Sequence, residues 1–434
     1  MAGGEQALNV FGADADPLAA AAYLAARSAR DAAAELHILK DYDTISCKAG
    51  HTLGSVQASN IRKLYGRTLR LSASQVDKQA QCRMSYFLRY GLRAKERKEA
   101  TVDPAEFGTY VHAVLEHTAK KVMELGGFHQ VTLEKTMAIA MEYSDAYTSQ
   151  RFSALDSERM AYLFKRNVRE LAMVIEELWQ ELSKSDFVPV GFEVGFGGEA
   201  QMDAISIPNA AMEAQLRGFV DRVDAWSNGY TNYFRVVDYK TGRKDLDYCD
   251  IFNGIGLQLL LYLFALEERG EALLGDNARA AGVQYFPARA PYISASGRLS
   301  DEQAGAKRAK ELKRKGLILS DTQVIAAMEP EGSPNRLSCK TGRDGSLTGD
   351  IADREQLRLL KGFVYRVLQR LVNEIASGNV DPNPYCRGSG HDACTYCPYK
   401  AVCHFAVVAG RRNYKAMSAQ RFWEEVGREM DRHG

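Results

Sequence analysis

The sequence predicts an α/β fold in which a short mixed sheet is flanked by helices and set inside a largely helical chain. Three observations support this prediction. Residues 71–184 have mainly helical periodicity, and residues 190–242 change to the alternation of apolar and polar residues that is typical of strands. Residues 254–270 then form an almost wholly apolar helix that precedes another strand. A chain of 434 residues, 46% of them hydrophobic, can bury a large core around such a sheet.

Four helices are predicted before the sheet, and capping signals set their limits. Ser and Asp are good N-caps, Pro suits the first helical position, and Gly commonly follows the last turn. By these rules the helices are an Ala-rich segment at 14–40, a helix from a cap at Ser72 or Ser74 to Gly91, a helix from Asp103 and Pro104 to Gly126 and Gly127, and a helix at 155–184.

The sheet and the helices after it are predicted from the change of period and from turn residues. In the first strand we expect Val190, Phe192, Val194 and Phe196 on one face and Glu193 on the other. The turn-rich SNGYT joins the next two strands into a hairpin. The predicted strands are 190–197, 214–226, 232–242 and 280–289, and the predicted helices are 254–270, a basic helix at 306–316 and an amphipathic helix at 353–377.

The charges are balanced, with 56 Lys and Arg against 55 Asp and Glu, so any basic surface has to be local. Two basic stretches, residues 61–70 and 306–315, are suited to following a phosphate backbone, although a solvated helix face is the simpler interpretation. No run of 18 apolar residues occurs and MAGGEQALNV has no signal-peptide pattern. We therefore expect a cytoplasmic protein that does not associate with membranes.

The stretch VVDYKTG presents Asp238 and Lys240 on one face of a strand, because side chains two residues apart point the same way. Such a pair alone is usually a surface ion pair. If the hairpin turns just after Gly229, however, Asp221 lies directly opposite Asp238 on that face. Two opposed carboxylates need a counter-charge, either Lys240 or a divalent cation, and oxygen ligands favour Mg²⁺ or Mn²⁺ over zinc.

Four more polar residues lie on elements that should pack beside this strand. Taken singly, Glu193 is an exposed strand residue, Gln258 a core amide with Tyr262 one turn later, and His112 a half-buried structural histidine. Taken together with the aspartates, they indicate metal-assisted phosphodiester hydrolysis, in which carboxylates hold one or two Mg²⁺ ions. Lys240 would orient or deprotonate the water, or stabilise charge on the phosphate, and His112 would be a metal ligand or a phosphate contact.

Cysteines concentrate near the end of the chain, where Cys394, Cys397 and Cys403 have the spacing of a metal site that needs a fourth ligand. Two alternatives stay open. Cys386 would complete a tetrahedral zinc site, whereas Cys82 would complete an iron–sulfur site and tie together distant parts of the chain. The remaining thiols, Cys47, Cys249 and Cys339, are expected to be ordinary cysteines.

Six motifs in order resemble the nuclease domain of AddB-type subunits, the B subunits of bacterial AddAB helicase–nucleases in the RecB-like branch of the PD-(D/E)XK nucleases. The resemblance covers about residues 71–410. The motifs are SASQVDKQAQC, FGTYVHAVLEH, GFVDRVDAW, VVDYKTG, QLLLY and CTYCPYKAVCHF.

The resemblance implies a PD-(D/E)XK (restriction-endonuclease-like) core and a Mg²⁺-dependent or Mn²⁺-dependent DNA exonuclease that works on single-stranded ends in double-strand-break repair. It implies an AddA-type helicase–nuclease subunit as partner and a 4Fe–4S cluster. The implied cluster ligands are Cys82, Cys394, Cys397 and Cys403. The implied catalytic residues are Asp221, Asp238, Lys240, His112, Gln258, Tyr262 and Glu193, of which His112, Asp221 and Asp238 bind metal.

The chain departs from such subunits in one respect, because only about 70 residues precede the resembling region and no G-x-x-x-x-G-K-[ST] loop occurs. We therefore expect a C-terminal part of a longer or split subunit. Its expected parts are a helical remnant at 1–70, the nuclease unit at 71–410 and a helical tail at 411–434.

Two other functions are compatible with the cysteine pattern. One is an idle DNA-binding or assembly module with a structural cluster, but the retention of Asp221, Asp238 and Lys240 argues against it. The other is a CRISPR-adaptation nuclease with the same Cys triplet, against which stand the chain length and the helical residues before Ser72.

Overall fold

The computed structural model describes residues 55–432 except for 96–103, 153–157, 199, 296, 331–335, 343, 389, 404 and 406–410, and also residues 27–29 and 31. The expected helix at 14–40, apart from those four residues, lies outside the described residues, as do the Asp103 cap and Cys47. In the part of the chain that is described, no helix is long and apolar enough to cross a membrane.

Capping signals placed several helix limits correctly. The Ser72 hydroxyl accepts a hydrogen bond from the backbone N–H of Gln75, and the Gln75 side chain accepts one from the Ser72 N–H. The described helices are α1 (Ala58–Tyr65), α2 (Ala73–Gln81), α3 (Arg83–Tyr86), a π-helical turn (Phe87–Gly91), α4 (Pro104–Glu124), α5 (Leu133–Phe152), α6 (Glu158–Leu182), α7 (Tyr248–Phe252), α8 (Gln258–Arg269), α9 (Glu271–Leu274), α10 (Asp301–Glu311), α11 (Thr322–Met328), α12 (Arg354–Ala376), α13 (Lys400–Cys403) and α14 (Ala419–Asp431).

A six-stranded mixed sheet forms the centre of the fold, in agreement with the predicted α/β class. Its strand order is β11-β8-β7-β6-β5-β2, with parallel pairs at β6–β7 and β8–β11 and antiparallel pairs elsewhere. The strands are β1 (Leu69–Leu71), β2 (Val188–Phe196), β3 (Ile205–Ser206), β4 (Ala214–Leu216), β5 (Gly218–Ser227), β6 (Asn232–Lys240), β7 (Ala278–Pro287), β8 (Lys315–Leu319), β9 (Cys339–Thr341), β10 (Leu347–Gly349), β11 (Ile351–Ala352), β12 (Tyr385–Cys386) and β13 (Arg412–Asn413).

Helices cover both faces of this sheet. On one face, Phe234 and Val236 of β6 belong to the same hydrophobic cluster as the buried side of α8 and much of α12. On the other face, Val237 and Tyr239 pack with α4 and α6. Strand β6 is therefore buried on both sides, and its carboxyl end emerges between α4 and α8.

A buried ionic network fixes α6 to the second face. The Glu181 carboxylate lies 2.9 Å from Arg235 and 2.7 Å from Arg314, and Asp224 lies 2.8 Å from both Arg222 and Arg235. Although burial alone would raise it, the surrounding guanidinium groups hold the pKa of Glu181 well below its ordinary value. Because removing one partner would leave a buried charge unpaired, this network holds α6 in one position on the sheet.

Four predictions about elements were wrong or incomplete. The helix expected up to Gly91 breaks at Cys82, which is extended with φ −168° and ψ 123°. The alternation in β2 fails at Glu193, whose φ is +47°, so that Phe192 and Val194 belong to different clusters. It also fails at Val190, which is exposed where the register with β5 shifts between Pro189 and Gly191. The basic helix ends at Glu311 and is followed by strand β8. Helix α5 was not predicted.

Candidate active site

The hairpin of β5 and β6 brings the two aspartates together. Arg222 pairs with Val237 and Asp224 with Arg235, and the same register continued by one residue places Asp221 opposite Asp238. This is the register that a turn just after Gly229 produces. Asp221 and Asp238 are 9% and 1% exposed, so two carboxylates face each other in a nearly dry environment.

Asp238 is held by the residues that the sequence grouped with it. The Lys240 ammonium lies 2.5 Å from Asp238 Oδ2, and the Gln258 amide donates a 2.8 Å hydrogen bond to Asp238 Oδ1. Lys240 also donates to Gln258 Oε1 at 3.3 Å, and Gln258 donates to the Tyr262 hydroxyl at 3.4 Å. Gln258 is the first residue of α8, so this helix end sets the positions of both the acid and the amine.

His112 lies on α4 and reaches the end of β6. Its Nε2 atom is 2.8 Å from the backbone oxygen of Tyr239, and because a carbonyl oxygen only accepts, Nε2 carries the proton. Its Nδ1 atom is 3.3 Å from Asp221 Oδ2. Burial lowers the pKa of His112, so the ring is neutral near pH 7 and Nδ1 presents a lone pair to a carboxylate oxygen. Two acceptors this close are held together by a cation between them, either a proton on Asp221 or a metal ion.

Glu193 completes a group of three ligands. One ligand atom each from His112, Glu193 and Asp221 lies within 4.8 Å of the other two. The left-handed conformation of Glu193, which costs about 1–2 kcal/mol in a residue with a side chain, occurs where β2 runs beside Asp221. The resemblance implied His112, Asp221 and Asp238 as metal ligands, and the first two of these belong to the group. In the structure, Glu193 belongs to the group and Asp238 contacts Lys240 and Gln258.

The carboxyl groups of this site have raised pKa values. Burial, followed by repulsion from Asp238, raises the pKa of Asp221 to about 7. Burial, followed by repulsion from Asp221 and Glu116, raises the pKa of Glu193 to about 7. Burial also raises the pKa of Asp238 despite Lys240. Concentrated negative charge of this kind is relieved when a divalent cation binds.

The cysteine-rich end folds back onto the end of α2. Cys82, Cys394, Cys397 and Cys403 all line one cavity of about 220 Å³. Burial, followed by the nearby Asp392 carboxylate, raises the pKa of the Cys394 thiol to about 11. Four thiols around one cavity, with the lysine of α13 and an arginine at its wall, fit a metal group that carries negative charge once the thiols are deprotonated.

The cavity separates the two candidates for the fourth thiol. Cys82 lines it together with the triplet, whereas Cys386 is buried in β12 and does not. Among the described residues, no three of the cysteine sulfurs lie within 4.8 Å of one another. Cys82 is therefore the fourth thiol of this cavity.

One further residue at the site was not singled out from the sequence. Asp77 of α2 accepts hydrogen bonds from the backbone N–H groups of Gly256, at 2.9 Å, and Leu257, just before Gln258. The signal was present, because Asp77 is an acid on the stripe of α2 that otherwise presents Ala73 and Ala80 to the core. The Asp77 carboxylate fixes the position of the N-terminal end of α8.

Comparison with known proteins adds two findings. The sequence profile of the PD-(D/E)XK nuclease superfamily matches residues 70–404. Curated relatives are named as the B subunit of an ATP-dependent helicase/deoxyribonuclease. That of Clostridium novyi is 32% identical over 400 residues, or 89% of this chain and 35% of that protein. That of Moorella thermoacetica is 35% identical over 352 residues, or 79% and 30%. The chain thus spans about a third of the length of these relatives.

Proposed function

The chain belongs to the PD-(D/E)XK nuclease superfamily, and from this premise we propose that it is a divalent-metal-dependent exonuclease that hydrolyses phosphodiester bonds at single-stranded DNA ends. The observation that carries the proposal is the pair of acceptors formed by His112 Nδ1 and Asp221 Oδ2, 3.3 Å apart. With Glu193 beside them, they form a cation site one strand away from a lysine that can act on a phosphate.

His112, Glu193 and Asp221 would hold the cation, and Asp238 stands next to them across the hairpin. A divalent cation bound there polarises the scissile phosphate and lowers the pKa of a bound water. Oxygen ligands suit Mg²⁺ and Mn²⁺, and the imidazole ligand favours Mn²⁺ of the two.

Lys240 would act on the substrate directly. Its ammonium has three N–H donors, of which two are directed to Asp238 and Gln258. The third can point to the attacking water or to a phosphate oxygen, where it stabilises the charge that develops during hydrolysis. Gln258 keeps both Asp238 and Lys240 in place, and Tyr262 supports Gln258 from the next turn of α8.

Cys82, Cys394, Cys397 and Cys403 would hold a 4Fe–4S cluster. The shared cavity supports this assignment. The cluster would tie the helix that precedes the catalytic elements to the segment that follows them, which is a structural role and involves no step of the hydrolysis.

We further propose that the chain works as the nuclease part of a two-subunit helicase–nuclease that processes double-strand breaks in the cytoplasm. The relatives support this assignment, because each is named as the B subunit of an ATP-dependent helicase/deoxyribonuclease. An AddA-type subunit would then be the partner and would deliver single-stranded DNA. Residues 71–410 would be the nuclease unit, between a remnant at 1–70 and a tail at 411–434.

The test is degradation of end-labelled single-stranded DNA by the anaerobically purified chain, with Mg²⁺ or Mn²⁺. We expect wild-type protein to release label only when metal is present. Lys240→Gln and Asp238→Asn should each lower the rate by about 10²–10³-fold, since each removes a group that stabilises the transition state. Arg279→Gln, at the exposed opposite end of β7, is the matched control and should keep the wild-type rate.

Labels at the 5′ and 3′ ends report the direction of digestion in the same experiment. The proposal is wrong if the wild-type protein, folded and containing its cluster, leaves DNA intact with either metal. It is also wrong if both variants remain as active as the control.

A further inference from the structure

A groove of about 680 Å³ opens beside the candidate active site. Lys240 and Tyr285 line one part of it, with the Lys240 ammonium 5.9 Å from the centre of the Tyr285 ring. The loop after β6, the end of β7 and the residues that join α10 to β8 line the remainder. We call this feature the basic groove. It begins at a residue of the active site and leads away from it.

The charge of the basic groove is strongly positive in a chain that is almost neutral overall. Seven lysine and arginine side chains line it, against the two acids Asp245 and Glu311. Both acids are already paired, Glu311 with Arg243 at 2.6 Å and Asp245 with Lys315 at 3.4 Å. The excess of cations is therefore not neutralised inside the groove.

Three of these cations form no ion pair in the described part of the chain, although the charge of Lys244 also acts on Asp77 and Asp238. Lys244 and Lys310 are exposed and Lys313 is half-buried. No carboxylate of the described residues lies within 4.0 Å of their ammonium groups. Unpaired ammonium groups that line a single groove produce a local field that attracts polyanions.

We propose that the basic groove binds the phosphate backbone of the single-stranded DNA whose scissile phosphate lies at Lys240. The proposal rests on the proposed nuclease function and extends it to further backbone contacts in the groove that begins at Lys240. Because the ammonium groups of Lys244, Lys310 and Lys313 are point charges, their contact is to phosphates and is independent of sequence. A protein ligand with an acidic surface is the competing occupant.

The test separates binding from hydrolysis. Binding of fluorescent oligothymidine is measured by anisotropy in EDTA, at several salt concentrations, with the full chain purified anaerobically. The variant Lys244→Gln/Lys310→Gln/Lys313→Gln removes three phosphate contacts. Its logarithmic salt slope should therefore decrease by ~2, and its affinity at 0.1 M salt should fall roughly 100-fold. The control Lys135→Gln/Arg279→Gln/Arg370→Gln removes three exposed cations that do not line the groove, and should bind like wild type.

Hydrolysis is then measured on two substrates. The groove variant should degrade a long single strand more slowly at low DNA concentration, through a raised KM. It should cleave a thymidine dinucleotide, whose single phosphodiester is placed at Lys240, within about threefold of the wild-type rate, since Lys240 and the metal ligands are unchanged. If the triple variant does not fold, Lys310→Gln alone, at an exposed site of α10, replaces it in both assays. Its logarithmic salt slope should change by about a third as much as that of the triple variant.

The outcomes are distinguishable. An unchanged salt slope in the groove variant overturns the proposal, whatever the nuclease assay gives. Equal competition by polyglutamate and by oligothymidine overturns the assignment to nucleic acid. If wild type binds DNA through the groove but cleaves neither substrate with metal, the groove is supported and the proposed nuclease function is rejected.

Discussion

His112 and Asp221 show how single residues can prepare a site for a cation. A neutral imidazole nitrogen and a carboxylate oxygen stand 3.3 Å apart, and a second carboxylate, Glu193, joins them. In the absence of metal, a proton is the only cation that can relieve this arrangement. The raised pKa values of Asp221 and Glu193 reflect the same crowding of acceptors in a site with little water, and each carboxyl keeps its proton up to about pH 7.

Metal binding at this site should consequently depend on pH. The cation must displace protons from Asp221 and Glu193, whose pKa values are both about 7. Below pH 7 we therefore expect Mn²⁺ affinity to fall about tenfold per pH unit for each proton displaced, and above pH 8 we expect it to level off. Calorimetric titration of the metal-free nuclease at pH 6, 7 and 8 measures this. Equal affinity at all three values would contradict the assignment of these ligands.

At this scale the sequence predicted that Asp221, Asp238 and Lys240 lie together, because the two-residue period of a strand and the position of a turn determine which side chains face each other. Glu193 was harder. Its flanking apolar residues suggested a regular strand, but its φ of +47° changes the direction of the side chains around it. Long-range packing imposes such a conformation on a non-glycine residue, and no local pattern indicates it.

Among the elements, α2 and α8 are joined by the half-buried carboxylate of Asp77. Asp77 of α2 accepts from the N–H groups of Gly256 and Leu257, which stand at the end of α8 where backbone donors lack helical partners. The turn between α7 and α8 needs glycine, with φ of +89° at Gly254 and +72° at Gly256. The position of Gln258 thus depends on a contact made by a different helix.

Asp77 should make folding stability depend on pH. Burial, opposed by Lys244, raises its pKa from 3.8 to about 6. The folded protein then binds this proton more tightly than the unfolded chain does, so stability is lost as pH rises from about 4 to 6. Asp77→Asn keeps an acceptor without the charge. We expect it to stabilise the fold by up to about 3 kcal/mol at pH 7.5, with the gain shrinking towards pH 4.

Thermal unfolding of wild type and Asp77→Asn at pH 7.5 and pH 4.5 measures this difference, and Asp77→Ala separates charge from hydrogen bonding. The alanine variant should lower the kcat of the nuclease and change KM much less, because α8 loses its anchor and Gln258 shifts. The asparagine variant should keep the wild-type kcat. A gain in stability that is the same at both pH values would show that ionisation of Asp77 is not its cause.

The elements with strong local signals were predicted, and those defined by distant contacts were not. Ser72, Pro104 and Asp353 mark helix starts that the structure confirms. Strand β8 was not predicted, because the basic residues at 306–316 suggested one continuous helix. Its neighbour Arg314 is 1% exposed and pairs with carboxylates of α6, so one cation of that run belongs to the core. The buried position of Arg314 is evident only from its partners Glu177 and Glu181, which are far away in the sequence.

At the scale of the whole molecule, the cysteine cavity joins residue 82 to residues 394–403. Cys82→Ala should abolish iron binding and the visible colour of the anaerobic protein, because the fourth ligand is lost. Cys386→Ala should keep both, since Cys386 does not line the cavity. Iron content per chain and the visible spectrum measure the outcome, with Cys249→Ala, another buried thiol, as control.

The opposite result, loss of metal in Cys386→Ala and retention in Cys82→Ala, would exclude the proposed ligand set. Zinc in place of iron in protein purified without oxygen would exclude the cluster itself.

The order of the six strands could not be predicted from the sequence. Periodicity identifies a strand but says nothing about its neighbours, so β8 and β11, which extend the sheet beyond β7, were missed together with their pairing. For the same reason, residue spacing alone left Cys82 and Cys386 open as the fourth thiol, and only the family resemblance implied Cys82. The cavity places Cys82 with the triplet.

Helix α2 connects the two chemical centres, because Asp77 holds the start of α8 and Cys82 ends the same helix five residues later. Oxygen that destroys the cluster would release this helix, and with it the anchor of Gln258, without altering any catalytic side chain. The specific activity of a preparation would then be proportional to its iron content rather than to its protein concentration. Handling in air would be enough to make a fully intact polypeptide test as a poor nuclease.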